Sequence, residues 1–587
     1  MSEVNLTING RGVSVPADYT VLMAAKKLNV NIPTLCYLKD VNQIGACRMC
    51  LVEVKGGRGL SASCVLPVTE GMEVWTNTPL LRETRRGILE LILSNHNREC
   101  TSCIRSQNCE LQRLTKELGV TDSPYERAEG EGGGFAPADE KSLSIARDPG
   151  KCILCRRCVA VCHDVQGVGV IQAMGRGYNT VVGTAFDLSL ADVACINCGQ
   201  CIQACPVGAL KTKDDTDKVW AAIGDPAKHV VFQVAPSVRF GLGEEFGVPA
   251  GGIVTRQMAE AIKLLGVDKV FDANFAADLT IMEEGTELIG RLQNGGVTPM
   301  ITSCSPGWIK YCETYYPEFL PNLSSCKSPM GMMGAVIKTY YAENAGVAPE
   351  DIYSVAVMPC TAKKFEAARP EMSVGALRGV DAVITTRELA RMIKEARIDF
   401  LELAGADFDE LIGEGSGAGT IFGATGGVAE AALRTAADIL TGQDLREIDY
   451  TAVRGVKGIK EAVIPIGDLN VRLAVVSGTG NAGKLLERIK AGEADYDFIE
   501  IMACPGGCVT GGGQPIRSSD EKYKKDFRAA RATALYQDDV EHEIRKSHQN
   551  PLITKIYADY LEKPNSHRAH ELLHTHYTER ELYPANI

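Results

Sequence analysis

The chain has 587 residues, which at about 100 to 200 residues per domain implies several domains and ample material for a core. Apolar residues make up 45%, charged residues 23% and aromatics 6%, which excludes the collagenous and disordered classes. Lys and Arg number 62 against 74 Asp and Glu, a net charge of −12, so the whole-chain basic footprint of a nucleic-acid binder is absent.

The first segment, 1–79, reads as strands and turns: Val4 to Ile8 alternates, Asn9-Gly10 is a hairpin turn, Val13 to Val15 resumes, and a helix runs from Thr20 to Leu28. Segment 80–127 is helical in pattern, with Ile88, Leu89, Ile92 and Leu93 before a cysteine group and Leu111, Leu114 and Leu118 after it. Residues 128–138 are glycine- and glutamate-rich and read as a flexible connection. Segment 139–213 carries an internal near-repeat of cysteine runs. Segment 228–570 alternates strands such as Val230 to Ala235 and Val355 to Met358 with helices such as Met258 to Leu265 and Arg387 to Lys394, an α/β pattern. Residues 571–587 read as a polar tail, and the nearby His567, His570, His574 and His576 as a solvated helical face. Met1 to Asn5 shows no basic region leading into an apolar one, and no run of about 18 uncharged apolar residues occurs, which predicts a cytoplasmic chain without a membrane span.

Of 21 cysteines, fifteen lie in the first 205 residues in close groups. In a reducing compartment such groups point to metal rather than disulfides. Cys152-x2-Cys155-x2-Cys158-x3-Cys162 and Cys195-x2-Cys198-x2-Cys201-x3-Cys205-Pro206 have the bacterial ferredoxin spacing, in which the fourth thiolate of each run reaches the other cluster. Cys152, Cys155, Cys158 and Cys205 are therefore assigned to one [4Fe-4S] cluster, and Cys195, Cys198, Cys201 and Cys162 to a second. Structural zinc sites favour two separated pairs over runs of four. Cys36, Cys47, Cys50 and Cys64, with a tight central pair, fit a [2Fe-2S] cluster, zinc being the alternative. His96, Cys100, Cys103 and Cys109 make a Cys3His set for a third accessory [4Fe-4S] cluster, whose potential imidazole should raise.

Such a wire needs a terminus that does chemistry, and the remaining cysteines are Cys304, Cys312, Cys326, Cys360, Cys504 and Cys508. Three motifs stand out: Thr302-Ser303-Cys304-Ser305-Pro306-Gly307-Trp308, Met358-Pro359-Cys360-Thr361-Ala362-Lys363-Lys364-Phe365-Glu366, and Glu500 to Pro515 around Cys504 and Cys508. Glycines flanking the last two cysteines would let backbone approach a large inorganic cofactor. These segments resemble the three signature motifs of the [FeFe]-hydrogenases, and the resemblance extends over essentially the whole chain.

The resemblance implies α+β ferredoxin-like iron–sulfur domains followed by a large α/β catalytic domain. It also implies an H-cluster, a [4Fe-4S] cubane joined through a cysteine sulfur to a diiron unit carrying carbon monoxide, cyanide and a dithiolate. By position, Cys360, Cys504 and Cys508 match cubane ligands, Cys508 being the bridge; Lys363 matches a donor to cyanide, and Pro236, Ser237, Met358 and Phe422 the pocket lining. Cys304, Glu284, Ser324, Glu287 and Arg291 match the family's proton file. The family has two adjacent cysteines in the first motif, and here the second is Ser305, so the fourth cubane ligand is open among Cys304, Ser305 and Cys326. Serine is a harder and less acidic ligand than cysteine. Cys312 reads as a small buried hydrophobe.

The implied activity is reversible interconversion of dihydrogen with two protons and two electrons. The N-terminus resembles the large iron–sulfur subunit of NADH dehydrogenases, which implies flavin/iron–sulfur diaphorase-type partner subunits in an NAD(P)-linked hetero-oligomer, electron-bifurcating with ferredoxin in one version. The alternatives are a stand-alone ferredoxin-dependent enzyme and a hydrogen sensor without turnover. Gly478 to Leu485 satisfies a GxGxxG pattern but lacks the P-loop hydroxyl, and reads as a plain strand–turn–helix junction.

Overall fold

The structure is a computed structural model that describes residues 2–125, 137–413, 415–455, 458–467 and 469–583. The connection expected at 128–138 lies, up to residue 136, outside the described residues.

Strands Glu3–Ile8 and Arg11–Pro16 pair antiparallel about Asn9 and Gly10, which take φ of 52° and 77°, the left-handed values a two-residue hairpin needs. Strand Glu73–Trp75 joins the first in parallel, and Leu51–Val54 and Ser61–Ala62 complete a five-stranded sheet. The helix Val21–Lys27, capped by Thr20, covers it, and Cys50 and Cys64 belong to the buried cluster beneath. Helix Pro79–Ser94 carries Pro at its first position, where no N–H is needed, and helix Glu110–Glu117 follows the third cysteine group.

The near-repeat in 139–213 is also a backbone repeat. Leu154 and Arg156 take φ of 55° and 61°, and the equivalent Asn197 and Gly199 take 59° and 68°. Each pair leads into a short helix, Arg157–Ala160 and Gln200–Ala204. Strands Ile145–Arg147 and Leu210–Thr212 close the segment.

Two four-stranded sheets build the remainder. One is parallel, in the order Lys269–Asp272, His229–Val234, Ile352–Met358, Ala382–Thr385. The other places Met300–Ile301, Phe498–Met502 and Leu469–Ser477 in parallel, with Ile459–Ile466 antiparallel at the edge. The inner strands His229–Val234, Ile352–Met358 and Phe498–Met502 read as nearly continuous apolar runs because both faces are covered, whereas the edge strand Ile459–Ile466 alternates exposed and half-buried residues over most of its length. All three motifs begin at carboxyl ends of parallel strands, Met300–Ile301, Ile352–Met358 and Phe498–Met502, where open α/β sheets place their ligands.

The C-terminal part differs from its sequence reading. The expected boundary at 571 falls inside helix His567–Leu573, and beyond it Arg580 pairs with buried Glu313. His574 is only 8% exposed, so the solvated reading fails for it. No described helix is long and apolar enough to cross a membrane.

Candidate active site

Three of the four accessory cysteine groups are brought together; in the His96, Cys100, Cys103, Cys109 set only the side chains of Cys103 and Cys109 are seen close to each other. The Cys36 side chain contacts those of Cys47 and Cys64, and Cys50 contacts Cys64. One cavity is lined by Cys152, Cys155, Cys158 and Cys205, and a separate one by Cys162, Cys195, Cys198 and Cys201, the crossed pairing that the ferredoxin spacing implies. His96 follows helix Pro79–Ser94, and its Nδ1 is buried without a hydrogen-bond partner. Burial, with Lys151 adding repulsion, lowers this imidazole to about 4, so it is neutral and fit to ligate. Cys109 caps the helix Glu110–Glu117 and lies near Cys103.

The principal apolar cavity is enclosed by the three motifs. Cys304, Ser305, Cys360, Cys504 and Cys508 line it together with Pro236, Ser237, Met358, Lys363 and Phe422, the residues singled out for the pocket. Cys326 does not line it; it is fully buried beside Glu287, with Sγ to Oε2 at 3.8 Å. Ser305 caps helix Pro306–Tyr315, and its Oγ accepts from Ala503 N at 3.2 Å, beside Cys504. Burial, then the neighbouring Glu284, pushes the Cys304 thiol up. Cys312 is buried, as expected, and contacts the carbonyl of Tyr316.

The donor set fits an iron–sulfur group. Burial pushes the thiols of Cys360, Cys504 and Cys508 up, so a bound metal is what would make thiolates of them. Ser237 Oγ is buried without a partner and available to a polar ligand in the cavity. Lys363 Nζ is held by Ser328 Oγ at 2.7 Å and Glu366 at 2.6 Å, and donates to Cys304 O at 3.3 Å. The glycines of motif three do more than clear space for a cofactor. A Cβ at Gly507 would meet Thr425 N at 2.6 Å, and one at Gly511 would meet Pro359 O at 2.1 Å, so they permit backbone-to-backbone packing of the motifs.

Glu284, Glu287 and Arg291 project from the helix Asn274–Asn294, three and four residues apart. Glu284 is 1% exposed, and burial, then the Glu287 charge, pushes its carboxyl up to about 8. Ser324 Oγ donates to Glu287 Oε2 at 2.9 Å, and Glu287 Oε1 pairs with Arg291 at 2.6 Å. Contacts missed in sequence reading are Glu283 and His574, described below, and Cys198, which lines the principal cavity from the ferredoxin-like side. Gly199 and Gly512 meet there so closely that a Cβ on Gly512 would lie 2.7 Å from Cys198 O. The GxGxxG turn is closed: Thr479 Oγ1 donates to Gln166 O, and a Cβ at Gly480 would meet Val165 O at 2.5 Å.

Residues 228–512 match the family described as iron only hydrogenase large subunit, C-terminal domain, and residues 525–580 match iron hydrogenase small subunit. The chain belongs to the [FeFe]-hydrogenases. Its N-terminal matches are a 2Fe-2S iron-sulfur cluster binding domain at 1–79, an NADH-ubiquinone oxidoreductase-G iron-sulfur binding region at 85–124 and a 4Fe-4S dicluster domain at 151–209. NADP-reducing hydrogenase subunit HndD of Solidesulfovibrio fructosivorans is 47% identical over 99% of this chain and 100% of that protein. Iron hydrogenase 1 of Clostridium pasteurianum is 43% identical, covering 97% and 99%. A solved apo [FeFe]-hydrogenase from Chlamydomonas reinhardtii, a single-residue variant of HydA1, is 45% identical with a TM-score of 0.56, covering 62% of this chain and 98% of that one. The protein is thus a hydrogenase catalytic subunit acting on dihydrogen, with an H-cluster domain preceded by [2Fe-2S] and [4Fe-4S] binding regions.

Proposed function

We propose that this hydrogenase is the hydrogen-reacting subunit of an NADP-linked complex, passing electrons through one [2Fe-2S] and three accessory [4Fe-4S] clusters to a flavin/iron–sulfur partner. The end-to-end match to HndD, including the 85–124 region, supports this reading. Purifying the native assembly anaerobically and assaying hydrogen-dependent NADP+ and NAD+ reduction tests it. A co-purifying flavin subunit with nicotinamide reduction is expected. A chain that purifies alone and reduces only ferredoxin would refute it in favour of the stand-alone enzyme.

Within the site, Cys360, Cys504 and Cys508 would hold the cubane, with Cys508 also joining the diiron unit and Ser305 at the fourth corner. When bound, the H-cluster supplies reversible heterolytic cleavage of dihydrogen. Pro236, Ser237, Met358 and Phe422 exclude water, and Lys363 offers a charge-assisted donor. Cys304 exchanges protons with Glu284, Ser324 carries the hydrogen-bond path to Glu287, and Arg291 sits at its outer end. Cys326 lies off the cavity and is left out of the ligand set. Infrared bands of iron-bound carbon monoxide and cyanide, with hydrogen uptake on a dye, are expected of the matured protein; their absence from a maturation-competent preparation would refute the installed cluster.

A further inference from the structure

The strap Ser324–Cys326 carries the hydroxyl of the proposed proton path, and it is pinned from one side by the C-terminal segment. Thr575 N donates to Ser325 O at 2.7 Å, Lys327 N donates to Leu573 O at 2.7 Å, and Cys326 and His574 form a β-bridge. The His574 imidazole stands between two polar partners. Its Nδ1 is 2.8 Å from Ser325 Oγ and its Nε2 is 3.1 Å from Glu283 Oε2. Glu283 has no exposed surface, and its carboxylate also accepts from Tyr557 O–H and from Asn565 N. It is therefore a fixed anchor.

These contacts close a ring. Ser325 N donates to Glu287 Oε2 at 3.2 Å, and Glu287 lies one helical turn beyond Glu283 on the same face. Helix, imidazole and strap are thus joined at Glu283, His574, Ser325 and Glu287. The register of the strap against the helix is set at two carboxylates. Ser324 Oγ donates to Glu287 at 2.9 Å, while both carboxyl oxygens of buried Glu284 have no hydrogen-bond partner among the described residues, so that register decides whether the Ser324 hydroxyl can reach Glu284.

We infer that His574 is a positioning residue of the proton path, acting through Ser325 to hold the Ser324 hydroxyl between Glu284 and Glu287. The role falls to the segment 525–580 that matches the small-subunit family. Neither the family matches nor the motifs assign it. His574 touches no reacting atom, and its effect is geometric. A misplacement of about 1 Å in such a path costs on the order of 100-fold in rate.

The inference rests on the path proposed above, and its test separates the two. His574→Phe, His574→Gln and Ser325→Ala are compared with the parent as matured, full-length protein. The readouts are kcat and KM for hydrogen uptake on a dye, the solvent deuterium isotope effect on kcat, and the infrared bands of the loaded cluster. Gln offers an acceptor for Ser325 and a donor for Glu283. The expected result is a fall in kcat of about tenfold or more in H574F and S325A with KM unchanged, a larger isotope effect, unaltered infrared bands, and substantial recovery in H574Q. Parent kcat and isotope effect in both H574F and S325A would overturn the inference, as would altered infrared bands with equal loss in all three variants. Should H574F fail to fold, S325A decides alone. Full turnover in Glu284→Gln would instead overturn the path itself.

Discussion

Glu284 is a residue whose proposed function costs the fold stability, and substituting it with glutamine separates the two. Burial, then the charge of Glu287, raises the carboxyl from 4.5 to about 8. A carboxyl with a raised folded-state pKa keeps its proton in a range where the unfolded chain has lost it. Stability from this group is therefore fully present below about 4.5, falls as pH rises through the window, and levels off above about 8. At about 1.4 kcal/mol per pH unit the whole window is worth about 5 kcal/mol at most, since relaxation and water entry lower the desolvation cost. Glu284→Gln removes that slope, because the amide carries no charge at any pH. The variant is expected to unfold at higher denaturant than the parent at pH 8.5, with the difference shrinking towards pH 5. Hydrogen uptake and evolution should drop by about 100-fold or more, the range of a lost general acid–base group. In the parent, a protonated-carboxyl infrared band absent from the variant should titrate near 8. An equal stability difference at both pH values, or a carboxyl already ionised at pH 6, would refute the reasoning.

Other outcomes follow from the same geometry. Replacing His96 by cysteine puts a charged thiolate where a neutral imidazole stands, so the potential of that cluster should fall by on the order of 100 mV in an EPR-monitored redox titration; an unchanged potential would remove His96 from the ligand set. Ser305→Cys should change the EPR spectrum of the cubane in protein made without the diiron maturation system, whereas Cys326→Ala should leave it unaltered; the reverse pattern would exchange their roles. In Gly512→Val, side-chain atoms would be forced against backbone 2.7 Å away at Cys198 and Gly199, so dye-coupled uptake through the accessory clusters should slow while the cubane spectrum persists. Glu110→Ala strands Arg157, which is 1% exposed and pairs with Glu110 at 2.8 Å, and should cost about 3–5 kcal/mol of stability in chemical unfolding.

Much of this site was legible because its chemistry is local in sequence. Cysteine runs point to iron–sulfur binding by their spacing, and the crossed sets Cys152/Cys155/Cys158/Cys205 and Cys162/Cys195/Cys198/Cys201 line two separate cavities in the grouping that spacing implies. Three carboxylate and guanidinium groups on Asn274–Asn294 follow helical arithmetic. What was illegible depends on long-range partners. His574 looks like a tail residue because its neighbours in sequence are polar, but Glu283 and Ser325, 291 and 249 residues away, give its two nitrogens partners inside the fold. Composition cannot distinguish a satisfied buried imidazole from a solvated one. Cys326 fails in the opposite sense: its nearness in sequence to Ser324 suggested a ligand, while the strap turns its sulfur towards Glu287 and away from the cavity. The glycines of motif three were read for the right property, small size, and for an incomplete reason, since much of the space they free is filled by Pro359, Thr425 and Cys198.

Under the proposed function protons and electrons would reach the cavity from different sides, and the packing of the chain bears on how they would be kept apart. On the ferredoxin-like side, Gln200 donates to Thr510 O at 2.9 Å, Gln166 to Ala503 O at 3.0 Å and Thr361 to Asn197 O at 2.7 Å, so these three contacts seat the segment 139–213 on motifs two and three through neutral amide and hydroxyl groups. No ionisable side chain takes part in those three contacts. On the proposed proton side, Cys304 lies near Glu284, and the groups beyond it are a hydroxyl, a carboxylate and a guanidinium. Cys198 and Cys304 both line the cavity, so under the proposed function the cofactor site would be the junction of the two routes. Such neutral contacts offer a proton few stepping stones, although Lys522 Nζ donates to Gln203 O and Tyr315 O–H to Ala194 O on the same side. A file of titratable groups does the converse. The close contact of Gly199 and Gly512 leaves no room for a Cβ between the ferredoxin-like segment and motif three, so the two backbones meet directly beside the cavity.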